Sequence, residues 1–517
     1  MSKWIKRGGH GALWLLAATL LTKLIGVLQK VPLQNLGGDT VFGIYNMVYP
    51  IYQLMLIFAV SGIPTAISAI IAEEDHKNHS FILRASHVLM TFIGIIFGLL
   101  MYSSASTIAA VLGSLALASM IKIIALTICV APLLASFRGY YQGVRLASYS
   151  SISQLIEQII RVMIMVAVLY IGVLQNWTDM SLATYVLWGG VAGAVAALVF
   201  LIVIWQKSVH KNESLSPPVK VYLHYMKLLL IRGLPAALAT VIVPLIAVID
   251  TFTVPVLLKG VASFTQMTEQ FGLYSRIQPL VQLVTMLLAA SIAGVLPDLV
   301  LSQSKQEIDL QHKFSLIIRF TVLIGIAATL GLILLAEPIS ILLYKDTEGV
   351  VWFKQLSLMT LPAAILAVIT PLLLIQRRIL LLACIVFVSF VSKLYLNQQF
   401  VADAGSMLGA IYATLLSLYI TAVLALLAAW NKQAINDDTN PTTFKVWGKS
   451  LVALLTMTIF LFIARVVAEQ VLHINMDNRV VMLGYVVALV LMGAFILIAM
   501  LSKLHILNKN EIKQLLK

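Results

Sequence analysis

The sequence predicts an all-α polytopic membrane protein: fourteen transmembrane helices arranged as two parallel six-helix lobes plus a C-terminal helix pair. Three observations lead there. Of 517 residues, 61% are apolar and only 11% charged, where a soluble domain carries roughly a quarter charged residues. The apolar residues gather in runs of about 20, the length that crosses a bilayer core. Between those runs, lysine and arginine fall almost entirely in alternate loops, as the positive-inside rule requires. A mean hydropathy of +0.99 agrees. The net charge of +14 is therefore read first as topology, and nucleic-acid binding is not expected.

The first six runs cover 10–33, 41–72, 84–103, 116–138, 150–174 and 183–206, an N-lobe over 1–207. The basic start, Met1 to Arg7, precedes an apolar stretch without a cleavage site, so the first helix is expected to be retained. A basic cytoplasmic linker follows over 208–232, with Pro217 and Pro218. Runs at 233–258, 272–300, 314–336, 351–375, 379–397 and 405–430 make a C-lobe over 233–430. Pro235, Pro244 and Pro255 imply that the first of these is bent. After a second cytoplasmic linker, 431–445, runs 446–468 and 480–502 form the extra pair over 446–502. The tail 503–517 interleaves Leu and Ile with lysines and suits an interfacial helix on anionic lipids.

With the N-terminus inside, 24 of the 35 basic residues fall in cytoplasmic loops, Arg138 and Arg145 among them. Only Lys259, Lys345, Lys354 and Arg479 fall outside, so both termini are expected to be cytoplasmic. Cys129 and Cys384 lie in apolar runs and read as core residues, with no disulfide scaffold or metal site.

An internal repeat supports the two lobes. Arg7-Gly8 with Ala12-Leu13 corresponds to Arg232-Gly233 with Ala237-Leu238 at an offset of 225. Gly62-Ile63-Pro64 with Ser68 resembles Val295-Leu296-Pro297 with Ser302 near 233, and Pro132-Leu133-Leu134 with Arg138 matches Pro371-Leu372-Leu373 with Arg377 at 239. Six-helix repeats share orientation, which places a substrate between lobes that rock to alternate access.

Ionisable residues inside spans cost roughly 2.5–3.5 kcal/mol each and need a cavity, a partner or an escape to the headgroups. Lys122, Lys393 and Arg465 are open to snorkelling or pairing, Arg465 with Glu469. Lys23 sits mid-span, and Lys30 lies seven residues on, along the same helical face. Ser150, Gln154, Glu157, Gln158 and Arg161 form a polar stripe on the fifth span, readable as lobe-stabilising pairing or as a site wall. The eighth span repeats it with Ser275, Gln278, Gln282 and Thr285 beside Arg276, and the second adds Tyr45, Tyr49, Tyr52 and Gln53. Asp250 is a carboxylate deep in the seventh span, a cation site or a partner for a neighbouring cation. Within the lobes Lys23, Lys30, Arg161 and Arg276 stand against Glu157 and Asp250. That cationic excess suits a phosphate or pyrophosphate headgroup, whereas exporters of organic cations need carboxylates. No Walker, zincin or nucleophile-elbow motif is present, so an enzyme is not expected.

Thr22-Lys23-Leu24-Ile25-Gly26, Gly43-Ile44-Tyr45 and Ser61-Gly62-Ile63-Pro64-Thr65-Ala66-Ile67-Ser68 resemble the opening of the polysaccharide-biosynthesis branch of the MOP (multidrug/oligosaccharidyl-lipid/polysaccharide) superfamily. Arg138-Gly139-Tyr140-Tyr141-Gln142-Gly143, followed by Gln154, Glu157, Gln158 and Arg161, is similar to the stage V sporulation protein B group, as is Asp403-Ala404-Gly405 with Leu408-Gly409-Ala410 and Thr414. The resemblance implies a plasma-membrane flippase for polyprenyl-pyrophosphate-linked saccharides, lipid II or a related precursor. It implies that Lys23, Lys30 and Arg276 serve the pyrophosphate, with Lys23 where arginine is usual. It further implies Asp250, Asn397 and Thr414 as candidates for a Na⁺ or H⁺ coupling site, no other cofactor, and wall-synthesis enzymes as partners. Two alternatives stay open: a cation-coupled drug or metabolite exporter on the same fold, and a non-transporting scaffold for wall synthesis.

Overall fold

The computed structural model describes residues 21–22, 24–57, 62–208, 219–293, 309–429, 441–470 and 478–504. Lys23, half of the first predicted span and nearly all of the basic tail lie outside the described residues. Within them the chain is helical, with no β-strand. Among the described residues, ten helices are long and apolar enough to cross a membrane, or eleven when one bent pair is counted as a single span. The all-α polytopic expectation is met.

Two compact units divide the chain: Met1–Gly272 with Asn397–Met407, and Leu273–Leu396 with Leu408–Lys517. In the first, the helix Lys30–Leu56 is interrupted at Gly38, whose φ of 77° and ψ of 177° turn the chain, so Lys30 precedes a kink. The second predicted span, 41–72, is described on either side of residues 58–61 as the helices Lys30–Leu56 and Ile63–Glu73, and Pro64 lies in the first turn of the latter, where proline's missing N–H costs nothing. Ala118–Gly143 runs five residues past the predicted end at 138 and carries Arg138 inside the helix. The linker drawn over 208–232 is helical from Val219, and Val219–Leu238 meets Ile242–Leu257 at 74°, the bend that the prolines predicted.

Glycines let these helices approach closely. A Cβ on Gly43 would stand 1.6 Å from the carbonyl oxygen of Thr268, in the helix Phe264–Ser275. One on Gly139 would stand 2.8 Å from Pro64 Cα, and one on Gly143 2.8 Å from Ile71 Cβ, so the glycines of the Arg138–Gly143 motif seat Ala118–Gly143 on Ile63–Glu73.

In the second unit the predicted span 272–300 is broken. Phe264–Ser275 ends, Arg276 and Ile277 turn, and Gln278–Ala293 begins. Asp309–Leu334 continues into Ala336–Tyr344, and Val350–Ser357 into Thr360–Ile375. Arg465 pairs with Glu337 at 2.7 Å and donates to the Leu334 carbonyl at 2.9 Å; the side chain of Glu469, the helix-mate expected for it, lies outside what is described. The last helix, Arg479–Lys503, is capped by Asn478, whose Oδ1 accepts from the Val480 and Val481 amides. Ile379–Ala404 passes from the second unit into the first between Leu396 and Asn397.

Gly43→Ala is expected to lower the unfolding temperature of the detergent-purified protein. The added methyl meets backbone rather than a yielding side chain, so the cost should be at the upper end of the roughly 1–3 kcal/mol of overpacking. An unchanged melting curve would remove this contact from the account.

Candidate functional site

The polar stripe of the fifth span becomes a charged cluster in the first unit. Glu157, on the helix Ala147–Leu174, is shared by two guanidiniums: Arg138 Nη2 donates to Oε2 at 2.8 Å and Arg161 Nη2 to Oε1 at 2.6 Å. Arg138 Nε also donates to Ser153 Oγ at 2.8 Å, and Gln142 Nε2 to Ser150 Oγ at 3.0 Å. Both arginines are buried, at 5% and 7% exposure, so Arg138 is not the cytoplasmic-loop residue that the sequence predicts. Its helix extends beyond it, and Glu157 and Ser153 satisfy its charge inside protein.

The cluster depends on a close helix pair. Cβ atoms on Gly189 and Gly193, in Trp188–Ser208, would lie 2.5 Å from the carbonyls of Arg161 and Glu157. Four residues apart, these glycines share a face and let the two backbones touch behind the ion pairs.

An aromatic ladder continues the network. Arg161 Nη2 donates to the Tyr52 hydroxyl at 3.2 Å. Tyr52 stands 5.5 Å from Tyr49, and Tyr49 stacks on Tyr45 at 4.8 Å, centroid to centroid. Lys30 Nζ lies 5.6 Å from the Tyr49 ring centre, in cation–π range, and donates to Asn46 Oδ1 at 3.1 Å. Arg138 and Arg161 share the one carboxylate of Glu157, an excess of one positive charge within that ion-paired group, and Lys30 is buried at the far end of the ladder. Gln29, Tyr45, Tyr49, Tyr52, Thr127 and Arg161 line a narrow pocket beside it. Arg161 Nε and Gln29 Oε1 are buried without hydrogen-bond partners.

The other predicted residues are dispersed. Gln154 and Gln53 are half-buried, and Gln282 is exposed. Lys23 lies outside the described residues. Arg276, 1% exposed at its helix break, is gripped by Asp346, Nη1 to Oδ1 at 2.5 Å and Nη2 to Oδ2 at 3.0 Å. Nη1 also reaches the Glu348 carbonyl at 3.0 Å, and the Tyr344 hydroxyl donates to the Arg276 carbonyl. Its charge is thus held by a carboxylate. In the first unit Asn397 Nδ2 donates to Asp250 Oδ1 at 2.8 Å and Thr253 Oγ1 at 2.7 Å, while Asn397 Oδ1 is buried without a partner. In the second, Thr414 Oγ1 accepts from Lys393 Nζ at 2.6 Å.

Sequence reasoning missed Arg138 as a site residue and Asp346 as the partner of Arg276. The first had a signal, its place at the head of the quoted Arg-Gly-Tyr-Tyr-Gln-Gly motif. The second had none, since Asp346 lies 70 residues from Arg276.

Glu157→Gln keeps the shape but leaves two buried guanidiniums uncompensated, so a loss of roughly 3–5 kcal/mol is expected. Adding Arg138→Met to it should recover part of that loss. A double-mutant cycle on thermal unfolding checks this, and strict additivity would count against the shared ion pair.

Residues 9–300 match the protein family described as polysaccharide biosynthesis protein. Among curated proteins of Bacillus subtilis, the chain is 28% identical over 343 residues to the membrane protein YabM, described as uncharacterized, covering 66% of this chain and 64% of that one. It is 24% identical over 212 residues to the lipid II flippase MurJ, 38% of this chain and 39% of that one. With stage V sporulation protein B it shares 28% over 208 residues, 38% of each. The matched segments thus span less than two thirds of these relatives' own lengths. Two solved structures share the fold. Lipid II flippase MurJ in an inward closed conformation aligns with a TM-score of 0.65 at 15% identity, over 95% of this chain and 98% of that one. An inward-facing multidrug resistance MATE family transporter of the MOP superfamily aligns at 0.61 and 13%, over 79% and 94%.

Proposed function

This chain belongs to the polysaccharide biosynthesis protein family, and from that membership we propose that it is an alternating-access flippase moving an anionic polyprenyl-pyrophosphate-linked saccharide from the inner to the outer leaflet of the plasma membrane. The observation that carries the reading is the buried Arg161 Nε, a charged donor without an acceptor beside a narrow pocket, in a group where two guanidiniums share one carboxylate. A pyrophosphate oxygen supplies the acceptor and the charge together, and guanidinium is the side chain best matched to it. Lys30 adds a second cation across the tyrosine ladder. Lys23 is proposed with it on the strength of its span.

A lipid needs an apolar place as well as a charged one. In the same unit a cavity of about 340 Å³ is lined by Met55, Leu56, Met90, Phe97, Ile128 and Leu234 among others. Met55 follows Tyr52 by three residues, and Ile128 follows Thr127 directly, so the same two helices wall the polar pocket and the apolar cavity. That adjacency supports an amphiphilic substrate with a charged head and a hydrocarbon tail. Arg276, neutralised by Asp346, has no part in this reading of the headgroup site.

The substrate's own charge would supply a driving force, with coupling to Na⁺ or H⁺ at Asp250 optional. Carrying two net negative charges out of a cell with a negative interior gains about 4.6 kcal/mol per 100 mV.

Lys30→Gln is expected to cut translocation of a lipid-linked pyrophosphate precursor in proteoliposomes by about 10–100-fold, the worth of one charge-assisted hydrogen bond. An inside-negative potential should accelerate outward flipping by the unmodified protein. Undiminished flipping by Lys30→Gln and by Arg161→Lys would sink the headgroup assignment. Efflux of an organic cation abolished by Asp250→Asn would favour a drug exporter instead.

A further inference from the structure

Two glutamines beside the charged cluster bury acceptors that no protein group answers. Gln29 is 5% exposed and lines the narrow pocket together with Arg161, and its Oε1 has no hydrogen-bond partner. Gln158, three residues before Arg161 on the same helical face, also buries an Oε1 without a partner. A Cβ on Gly26 would lie 3.4 Å from that second oxygen. Gln29 follows Gly26 by one helical turn, its backbone amide donating to the Ile25 carbonyl at 2.9 Å. Gly26, Gln29, Gln158 and Arg161 thus share one corner of the first unit. Burying an amide oxygen unpaired is costly, and native folds seldom do it without a use for the atom.

An amide oxygen accepts and never donates. A pyrophosphate esterified at both ends offers oxygens alone, so it answers Arg161 Nε and leaves both glutamine oxygens without a donor. What they need is a neutral donor beside the phosphate. Sugar hydroxyls and an acetamido N–H are such donors, and in a lipid-linked saccharide the first sugar is bonded directly to the pyrophosphate. The pocket measures about 20 Å³, room for one hydroxyl-sized group, so a sugar is read there through a single edge group while its ring stays outside.

We propose that Gln29 and Gln158 are specificity residues: they accept hydrogen bonds from the first sugar and let the protein tell a saccharide-bearing polyprenyl pyrophosphate from the carrier without its sugar. The inference rests on the headgroup reading above and adds an acceptor side to a site so far described by its cations. A site built to pair with a substrate hydroxyl rejects the analogue that lacks it, because its own buried group is then left unpaired. Such discrimination keeps the sugar-free carrier from competing for the site.

The test measures binding of two probes to the full-length protein in detergent: a polyprenyl pyrophosphate capped with a methyl group, and the same lipid bearing one N-acetylhexosamine in place of the methyl. Both are diesters of equal charge, so the sugar is the difference between them. The unmodified protein should bind the sugar-bearing lipid about tenfold tighter, and the double variant Gln29→Met with Gln158→Met should bring that ratio close to one. Because neither oxygen has a partner to lose, the double variant should unfold at the same temperature as the unmodified protein or higher. A ratio that survives in the double variant overturns the proposal. So does a double variant that unfolds several degrees lower or does not fold, since the amides would then serve the fold. Equal binding of the two lipids by the unmodified protein defeats this inference and spares the headgroup reading, whereas binding of neither lipid defeats both.

Discussion

Burying charge where water is scarce is the constraint around which this protein is built. An isolated guanidinium in a low-dielectric interior is far costlier than any single contact can offset, so each buried ion has to be delivered to partners by the fold itself. Glu157 answers for two arginines at once, one on its own helix a turn away and one on the preceding helix. That arrangement requires helix axes closer than ordinary side chains permit. Gly189 and Gly193 on one side, and Gly139 and Gly143 on another, provide the approach. The glycines and the ion pairs are therefore one device: without the small residues the charges do not meet, and without the charges the polar stripe has no reason to be inside.

Breaks in helices do the complementary work. A helix end exposes backbone groups that must find new partners, and in lipid those partners are protein. At Arg276 the backbone carbonyl takes the Tyr344 hydroxyl while the side chain reaches Asp346 and the Glu348 carbonyl, so one break is closed by one loop. Lys345 and Gly349 both take positive φ at that loop, which turns it tightly enough to present Asp346. At Gly38 the interruption lets Lys30 stand before the kink and still reach Asn46 beyond it.

Local chemistry made much of this legible in the sequence. Apolar runs predicted the helices, the prolines predicted the bend now seen between Leu238 and Ile242, and the spacing of Ser150, Glu157 and Arg161 predicted a common polar face. What was illegible depended on distant partners. Loop counting placed Arg138 with the cytoplasmic charges because a cation near a span end has the same local pattern whether it faces headgroups or a carboxylate 19 residues away. Arg276 read as an available cation because Asp346 lies on another part of the chain. Spacing offered Arg465 a helix neighbour, and it could not have offered Glu337, the carboxylate 128 residues off that tertiary packing brings to it. Lys393 was ambiguous between snorkelling and pairing for the same reason, since its acceptors sit on the next helix.

Sorting the buried cations by what answers them turns composition into function. Arg276 and Arg465 each meet a carboxylate and are spent on holding the second unit together. Lys393 donates to the Thr414 hydroxyl and the Ala410 carbonyl on the next helix. Around Glu157 two guanidiniums share one carboxylate, and there a guanidinium N–H remains without an acceptor beside a pocket whose helices also wall an apolar cavity. A soluble anion would use the charge and waste the cavity, while a neutral lipid would use the cavity and leave the charge uncompensated. An anion attached to a hydrocarbon chain uses both, and because it carries net charge the membrane potential acts on it directly.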